Sequence, residues 1–275
     1  MIRLMSAIDQ LFANLKSNRE KAFMPFLTAG DPDLDFTALL LKKIVQSGGH
    51  LCELGVPYSD PVADGPVIQA SYTRALQHKI SVSDIFEMLQ QTTPDLTSPV
   101  VTMVSYAIVY RYGLTQYVQG AKASGVEGLI VPDLPVEESG ILREICQQED
   151  VSLIQLVTPN TPQDRAIRIA EASTGFVYFV SVVGITGERQ ELPQELVDKV
   201  HWLRGQTDLP ICIGFGISQP DHIRMLAPVA DGLIVGSAIV RRVASCASGS
   251  REAVLEEVGD YVASLLAALK SASNC

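Results

Sequence analysis

The sequence predicts an α/β protein: a closed (β/α)8 barrel with one extra N-terminal helix, forming a single domain over residues 1–275. Two observations predict it. Short β-rich runs recur roughly every 20 to 30 residues, separated by amphipathic stretches of helical period, the pattern of repeated βα units on a parallel sheet. Eight such units can be drawn, and nearly every strand ends in Gly, Pro, Asp or Thr, as loops at the C-terminal face of a barrel do. An open doubly wound sheet is the alternative. Against it, no G-x-G-x-x-G follows the first strand, and the phosphate-like glycines come at units seven and eight.

Taken in order, a lead helix over Ser6–Leu15 precedes strand one, Phe23–Thr28, which ends in Thr28-Ala-Gly-Asp-Pro32 and passes to a helix over Leu34–Gln46. Strand two, Leu51–Leu54, ends in Gly55-Val-Pro57 and is followed by helices over Val67–His78 and Val82–Gln91. Strands three to five are Val100–Val104, Gly128–Val131 and Ser152–Leu156, with helices over Leu114–Ser124, Glu137–Glu149 and Pro162–Ala172. Strand six, Phe176–Val180, leads through Gly184-Ile-Thr-Gly187 to a helix over Pro193–Arg204. Strands seven and eight, Pro210–Ile213 and Gly232–Val235, end in Gly214-Phe-Gly216 and Gly236-Ser237, with helices over Gln219–Leu226 and Ser237–Val243. A tail helix, Ser250–Ser271, closes the chain.

Composition narrows the function. A net charge of −10 disfavours nucleic acid and anionic membranes as partners, so an anionic ligand would be held by local backbone N–H groups. The five cysteines are odd in number, widely spaced and without a C-x-x-C pair, which fits reduced thiols in a cytoplasmic protein. The first eighteen residues lack the pattern of a secretory signal, and no run approaches the eighteen apolar residues of a membrane span. The four histidines are scattered, so neither a His-based metal site nor a Ser/His triad has its parts.

The most informative stretch is Glu53-Leu-Gly-Val-Pro-Tyr-Ser-Asp-Pro-Val-Ala-Asp-Gly-Pro66. It sets Glu53 at the end of a buried strand, where an isolated anion is costly and a raised pKa is expected, and Asp64 in a loop stiffened by three prolines. An acidic turn beside a strand is the bland reading of any one of these carboxylates. The glycine turns at Gly214–Gly216 and Gly236–Ser237 lie after consecutive strands, where barrels bind phosphate, and Gly187 offers a third contribution. No lysine stands at a strand C-terminus for amine-aldolase chemistry, and no histidine cluster serves a metal aldolase. Carboxylate proton transfer remains, helped by an aromatic hydroxyl such as that of Tyr178.

Over essentially its whole length the chain resembles the tryptophan synthase α-subunit family. The resemblance rests on Pro25-Phe-Leu-Thr-Ala-Gly-Asp-Pro32, Glu53-Leu-Gly-Val-Pro-Tyr-Ser-Asp-Pro61, Ala63-Asp-Gly-Pro66, Pro132-Asp-Leu-Pro-Val-Glu-Glu-Ser139, Gly184-Ile-Thr-Gly187, Gly214-Phe-Gly-Ile217 and Gly236-Ser-Ala238. It implies retro-aldol cleavage of indole-3-glycerol phosphate to indole and glyceraldehyde 3-phosphate, with no metal or cofactor in this subunit. The implied partner is a pyridoxal-phosphate (PLP) β subunit in an α-β-β-α tetramer. Glu53 would be the general acid and then base, Asp64 the acceptor for the indole N–H, and Tyr178 a relay for Glu53. Phe26 and Leu129 would flank the indole ring. Residues 182–192 would form a mobile lid, with Thr186 closing over Asp64. Gly187, Gly214, Gly216, Gly236 and Ser237 would hold the phosphate, and Pro57 and Asp60 would face the partner. Ala107 and Glu188 depart from the family pattern, the first at a partner contact and the second in the lid. Two other readings stay open: a binding or activating subunit whose catalysis is silent alone, and a stand-alone lyase that needs no partner.

Overall fold

The computed structural model of the protein describes residues 5–61, 64–180, 194–214, 216–247 and 249–273. Helix α1 (Ala7–Ser17) begins in a capping box: the Asp9 backbone N–H donates to Ser6 Oγ, and the Ser6 N–H donates back to Asp9 Oδ2. Its buried residues Ile8, Phe12 and Leu15 recur at helical spacing on one face. The strands follow as β1 (Ala22–Thr28), β2 (Cys52–Gly55), β3 (Val100–Met103), β4 (Val126–Ile130), β5 (Ser152–Ile154), β6 (Leu156–Val157), β7 (Val177–Val180), β8 (Ile211–Gly214) and β9 (Gly232–Val235).

These nine segments make one parallel sheet in the order β5-β4-β3-β2-β1-β9-β8-β7-β6. The two edge segments, β5 and β6, are separated in sequence by Gln155 alone, so both edges belong to one interrupted strand. The sheet therefore closes on itself as an eight-strand barrel with a seam at Gln155. At that seam the Gln155 carbonyl still accepts from the Tyr178 N–H at 3.1 Å, and its side-chain amide donates to Ser139 Oγ.

Between the strands run α2 (Leu34–Gln46), α3 (Pro66–Leu76), α4 (Val82–Thr92), α5 (Tyr106–Tyr112), α6 (Leu114–Ala123), α7 (Gly140–Gln148), α8 (Gln163–Ala172), α9 (Gln194–Arg204), α10 (Pro220–Leu226) and α11 (Ser237–Val243), with α12 (Arg251–Ser273) last. Their apolar faces pack on the outward-pointing residues of the strands, such as Phe23, Leu27, Cys52, Leu54, Val100 and Leu129. Alternate residues point inward. Ala22, Met24, Leu51, Val101, Ile130, Ile154, Phe176, Tyr178, Cys212 and Ile234 fill the lumen and meet Ile8, Phe12 and Leu15 of α1. Helix α1 thus plugs the N-terminal end of the barrel, with the Phe12 and Phe176 ring centroids 5.8 Å apart.

The predicted elements lie within a few residues of the observed ones. No helix is predicted over Tyr106–Tyr112, where α5 stands. Its N-cap comes from tertiary structure as well as sequence, because Asp133, after β4, accepts from both Ser105 Oγ and the Tyr106 N–H at 2.7 Å.

Candidate active site

Along β2 and the residue before it the lumen-facing positions are Leu51, Glu53 and Gly55, by the two-residue alternation of a strand. Leu51 belongs to the apolar layer, so Glu53 stands one layer nearer the C-terminal mouth, paired in register with Phe26 on β1 and Val101 on β3. Its side chain is completely buried, and neither carboxyl oxygen has a hydrogen-bond partner among the described residues. Burial, reinforced by the nearby Asp64 charge, pushes its pKa up to about 8. A neutral carboxylic acid at neutral pH is an available proton donor.

Asp64 arrives on the loop after β2. That loop ends in a staple: the Asp64 N–H donates to the Pro61 carbonyl, and the Gln69 side-chain amide, from α3, donates to the carbonyls of Asp64 at 2.8 Å and Pro61 at 3.2 Å. Pro66 opens α3 at the position where a missing N–H does no harm. Helix α3 is in turn fixed to the loop after β1, where buried Asp31 accepts a two-point contact from Arg74 and a short hydrogen bond from the Ser71 hydroxyl. Partial burial raises the Asp64 pKa, and its charge acts on Glu53, Tyr58, Tyr72 and Tyr178.

Across the lumen, Tyr178 points inward from β7, with its phenol raised far above the ordinary value, first by burial and then by Glu53. Its hydroxyl lies above Gly214 on β8: a Cβ at Gly214 would stand 2.6 Å from that oxygen. Gly216 has φ +75°, a backbone region that favours glycine, and is exposed on the rim. Gly236, between β9 and α11, and Ser237, the first residue of α11, stand on the same rim, half-buried and exposed respectively. Phe26, two residues beyond lumen-facing Met24, is buried at the mouth.

Glu53, Asp64, Tyr178, Phe26, Gly214, Gly216, Gly236 and Ser237 therefore share one end of the barrel. Leu129 does not join them. On β4 the lumen-facing positions are Gly128 and Ile130, while Leu129 packs outward among the helices, so Ile130 is the residue this strand offers to the lumen. Pro57 is buried and Asp60 exposed. Thr186, Gly187, Glu188 and the rest of the predicted lid lie outside the described residues. Two features escaped the sequence reading: Tyr72 of α3, buried beside this mouth, and the exposed apolar residues Tyr110 on α5 (70% exposed) and Ile141 on α7 (66%). Asp133 joins α5 to the loop after β4 and also acts on the Tyr58 phenol, so the rims after β2, β3 and β4 are neighbours.

Among the described residues no group of three or more His, Cys, Asp and Glu could hold a metal ion, and no helix is long and apolar enough to cross a membrane. A family profile described as tryptophan synthase alpha chain matches residues 12–269. The tryptophan synthase alpha chain of Rhodopirellula baltica is 52% identical over 278 aligned residues, covering 98% of this chain and 100% of the relative. That of Arabidopsis thaliana is 42% identical, covering 96% of each. Among solved structures, tryptophan synthase subunit alpha from Legionella pneumophila superposes with a TM-score of 0.89 at 33% identity, covering 98% of this chain and 100% of that one. A chain of the tryptophan synthase complex from Pyrococcus furiosus gives a TM-score of 0.82 at 34% identity, covering 90% and 98%.

Proposed function

Because the chain belongs to the tryptophan synthase alpha chain family, we infer that Glu53, Asp64 and Tyr178 carry out this family's lyase reaction here. The chain is the subunit that cleaves indole-3-glycerol phosphate and passes indole to a β subunit; PLP belongs to that β subunit. The observation that carries the residue roles is Glu53: a buried carboxyl without a partner among the described residues, with a pKa of about 8, at the barrel mouth.

Neutral Glu53 donates its proton to indole C3, and positive charge appears on the ring nitrogen. Asp64 accepts the ring N–H and offsets that charge. The bond between C3 and the glycerol chain then breaks, its electron pair returning to the ring, while the adjacent glycerol hydroxyl gives its proton to the Glu53 carboxylate and becomes the aldehyde of glyceraldehyde 3-phosphate. Glu53 ends the cycle protonated, as it began. Tyr178 relays or orients this proton, and Phe26 and Ile130 bound the ring site. The glycine turns at Gly214, Gly216 and Gly236, with Ser237 and Gly187, take the phosphate, and Thr186 closes the lid.

Pro57 and Asp60 belong to the β-subunit face, extended by Tyr110 and Ile141, in an α-β-β-α assembly. Support comes from the shared rim of the β2, β3 and β4 loops and from apolar side chains left in solvent there. The whole chain, 1–275, works as one barrel domain, a reading supported by its single closed sheet. A cytoplasmic location agrees with the unpaired thiols of Cys52, Cys146, Cys212 and Cys246.

Glu53→Gln tests the central role: it preserves size, and kcat for indole release should fall by about a thousandfold or more. Turnover near the wild-type rate would remove Glu53 from the chemistry.

A further inference from the structure

Gly55 is the lumen-facing position of β2 next above Glu53 toward the mouth, and it has no side chain of its own. Its place is taken from elsewhere: a Cβ there would lie 2.7 Å from the Tyr72 hydroxyl oxygen and 2.6 Å from Phe26 Cζ. Tyr72 reaches it from α3, one turn beyond Ile68, and both pack with Phe26 and Val240 in a small apolar cluster at the mouth. Gly214 and Tyr178 repeat the arrangement on β8, with a hypothetical Cβ 2.6 Å from the Tyr178 oxygen. Two missing side chains on opposite flanks of β1 and β9 thus admit two buried tyrosine hydroxyls into the layer around Glu53.

Beyond Tyr178, whose role belongs to the reading above, we propose that Tyr72 is a second positioning residue: its hydroxyl donates to the Glu53 carboxylate during the part of the cycle in which Glu53 is ionised. This deepens the lyase reading and rests on it. Once Glu53 has given its proton to C3, an anion remains in a site that offers its oxygens no hydrogen bond among the described residues. Such an anion is expensive unless a donor turns to it. The titratable groups around it are Asp64 from the β2 loop, Tyr72 from α3, Tyr178 from β7 and Cys212 from β8, with Tyr58 beside Tyr72. Asp64 is an acceptor when ionised, and the buried Cys212 thiol is a weak donor. Burial and the nearby carboxylates hold the Tyr72 phenol well above its ordinary range, so it keeps its proton.

The experiment is the pH profile of kcat and KM for indole-3-glycerol phosphate in Tyr72→Phe, assayed as the complex with the β subunit. The ring and its packing with Phe26, Ile68 and Tyr58 are kept; only the O–H is lost. Expected are a kcat lower by about tenfold, a KM within about threefold, and a basic limb displaced upward by about half to one pH unit, since losing a donor to the ionised form raises the Glu53 pKa. Ile68→Val disturbs the same cluster without touching a hydroxyl and should leave the pH profile in place. A Tyr72→Phe profile that superimposes on the wild type, or one displaced equally by Ile68→Val, overturns the proposal. Glu53→Gln measured in parallel separates the two readings: if it is inactive while Tyr72→Phe is normal, only the Tyr72 role fails, and if it retains turnover, the lyase assignment of Glu53 fails first.

Discussion

The two ends of the barrel are built on opposite principles. At the N-terminal end, α1 drives Ile8, Phe12 and Leu15 into the lumen until it is filled with side chains. Its charged group Asp231 is well partnered: it accepts from Arg204, from the Ile211 N–H and, at 3.7 Å, faces Lys21. At the C-terminal mouth the lumen holds a carboxyl with no partner among the described residues, a half-buried second carboxylate, and glycines where side chains would stand. One end supplies stability and the other spends part of it on chemistry.

That contrast is open to attack from both ends. The largest effect should come at the mouth: Asp64→Asn removes the proposed acceptor for the ring N–H and should lower kcat by about a hundred- to a thousandfold, with little change in melting temperature. Loss of both activity and stability would mean that Asp64 holds the loop rather than the substrate. At the floor, Phe12→Ala should destabilise by about 4 kcal/mol in denaturant unfolding, while the folded fraction keeps its kcat. A variant that lost kcat without losing stability would erase the division between the ends.

A smaller effect links the two through pH. The Glu53 pKa is raised, from 4.5 to about 8, so the native state holds a proton that the unfolded chain releases between those values. Its contribution to stability is present below the lower value and is lost as pH rises through the window, by about 1.4 kcal/mol per unit. Glu53→Gln has no such proton to lose. Relative to wild type it should therefore gain about 3 kcal/mol of stability between pH 5 and 7, read as diverging unfolding midpoints; parallel midpoints would mean an ordinary Glu53 pKa. The smallest effect expected is at Asp231→Asn, about 1 kcal/mol of stability with normal turnover, because its partners remain partly solvated.

The sequence made most of this legible, for identifiable reasons. Helices with an amphipathic stripe and a Ser, Asp or Pro start, such as α2, α3 and α4, stand within two residues of their predicted limits. Glu53 was visible because a carboxylate inside an apolar run is itself anomalous. Leu129 was misplaced because β4 is apolar at nearly every position, and a strand buried on both faces has no alternation from which to tell lumen from exterior. Helix α5 was missed because Tyr106–Tyr112 is aromatic and β-branched, and part of its cap comes from Asp133, more than twenty residues away. Tyr72 was hidden for a similar reason: only the fold brings an α3 side chain over Gly55.

The pairing of β1 with β9 sets Ala22 beside Gly232 and Pro25 beside Val235. The first and last strands are neighbours, so the ring cannot close until nearly the entire chain has left the ribosome. Glu53 and Asp64 are made early, Tyr178 and the glycine turns late, and the two sets cannot face one another across β1 and β9 before that final junction forms. A chain interrupted before β9 would carry the carboxyls of Glu53 and Asp64 and have no enclosed lumen to hold them.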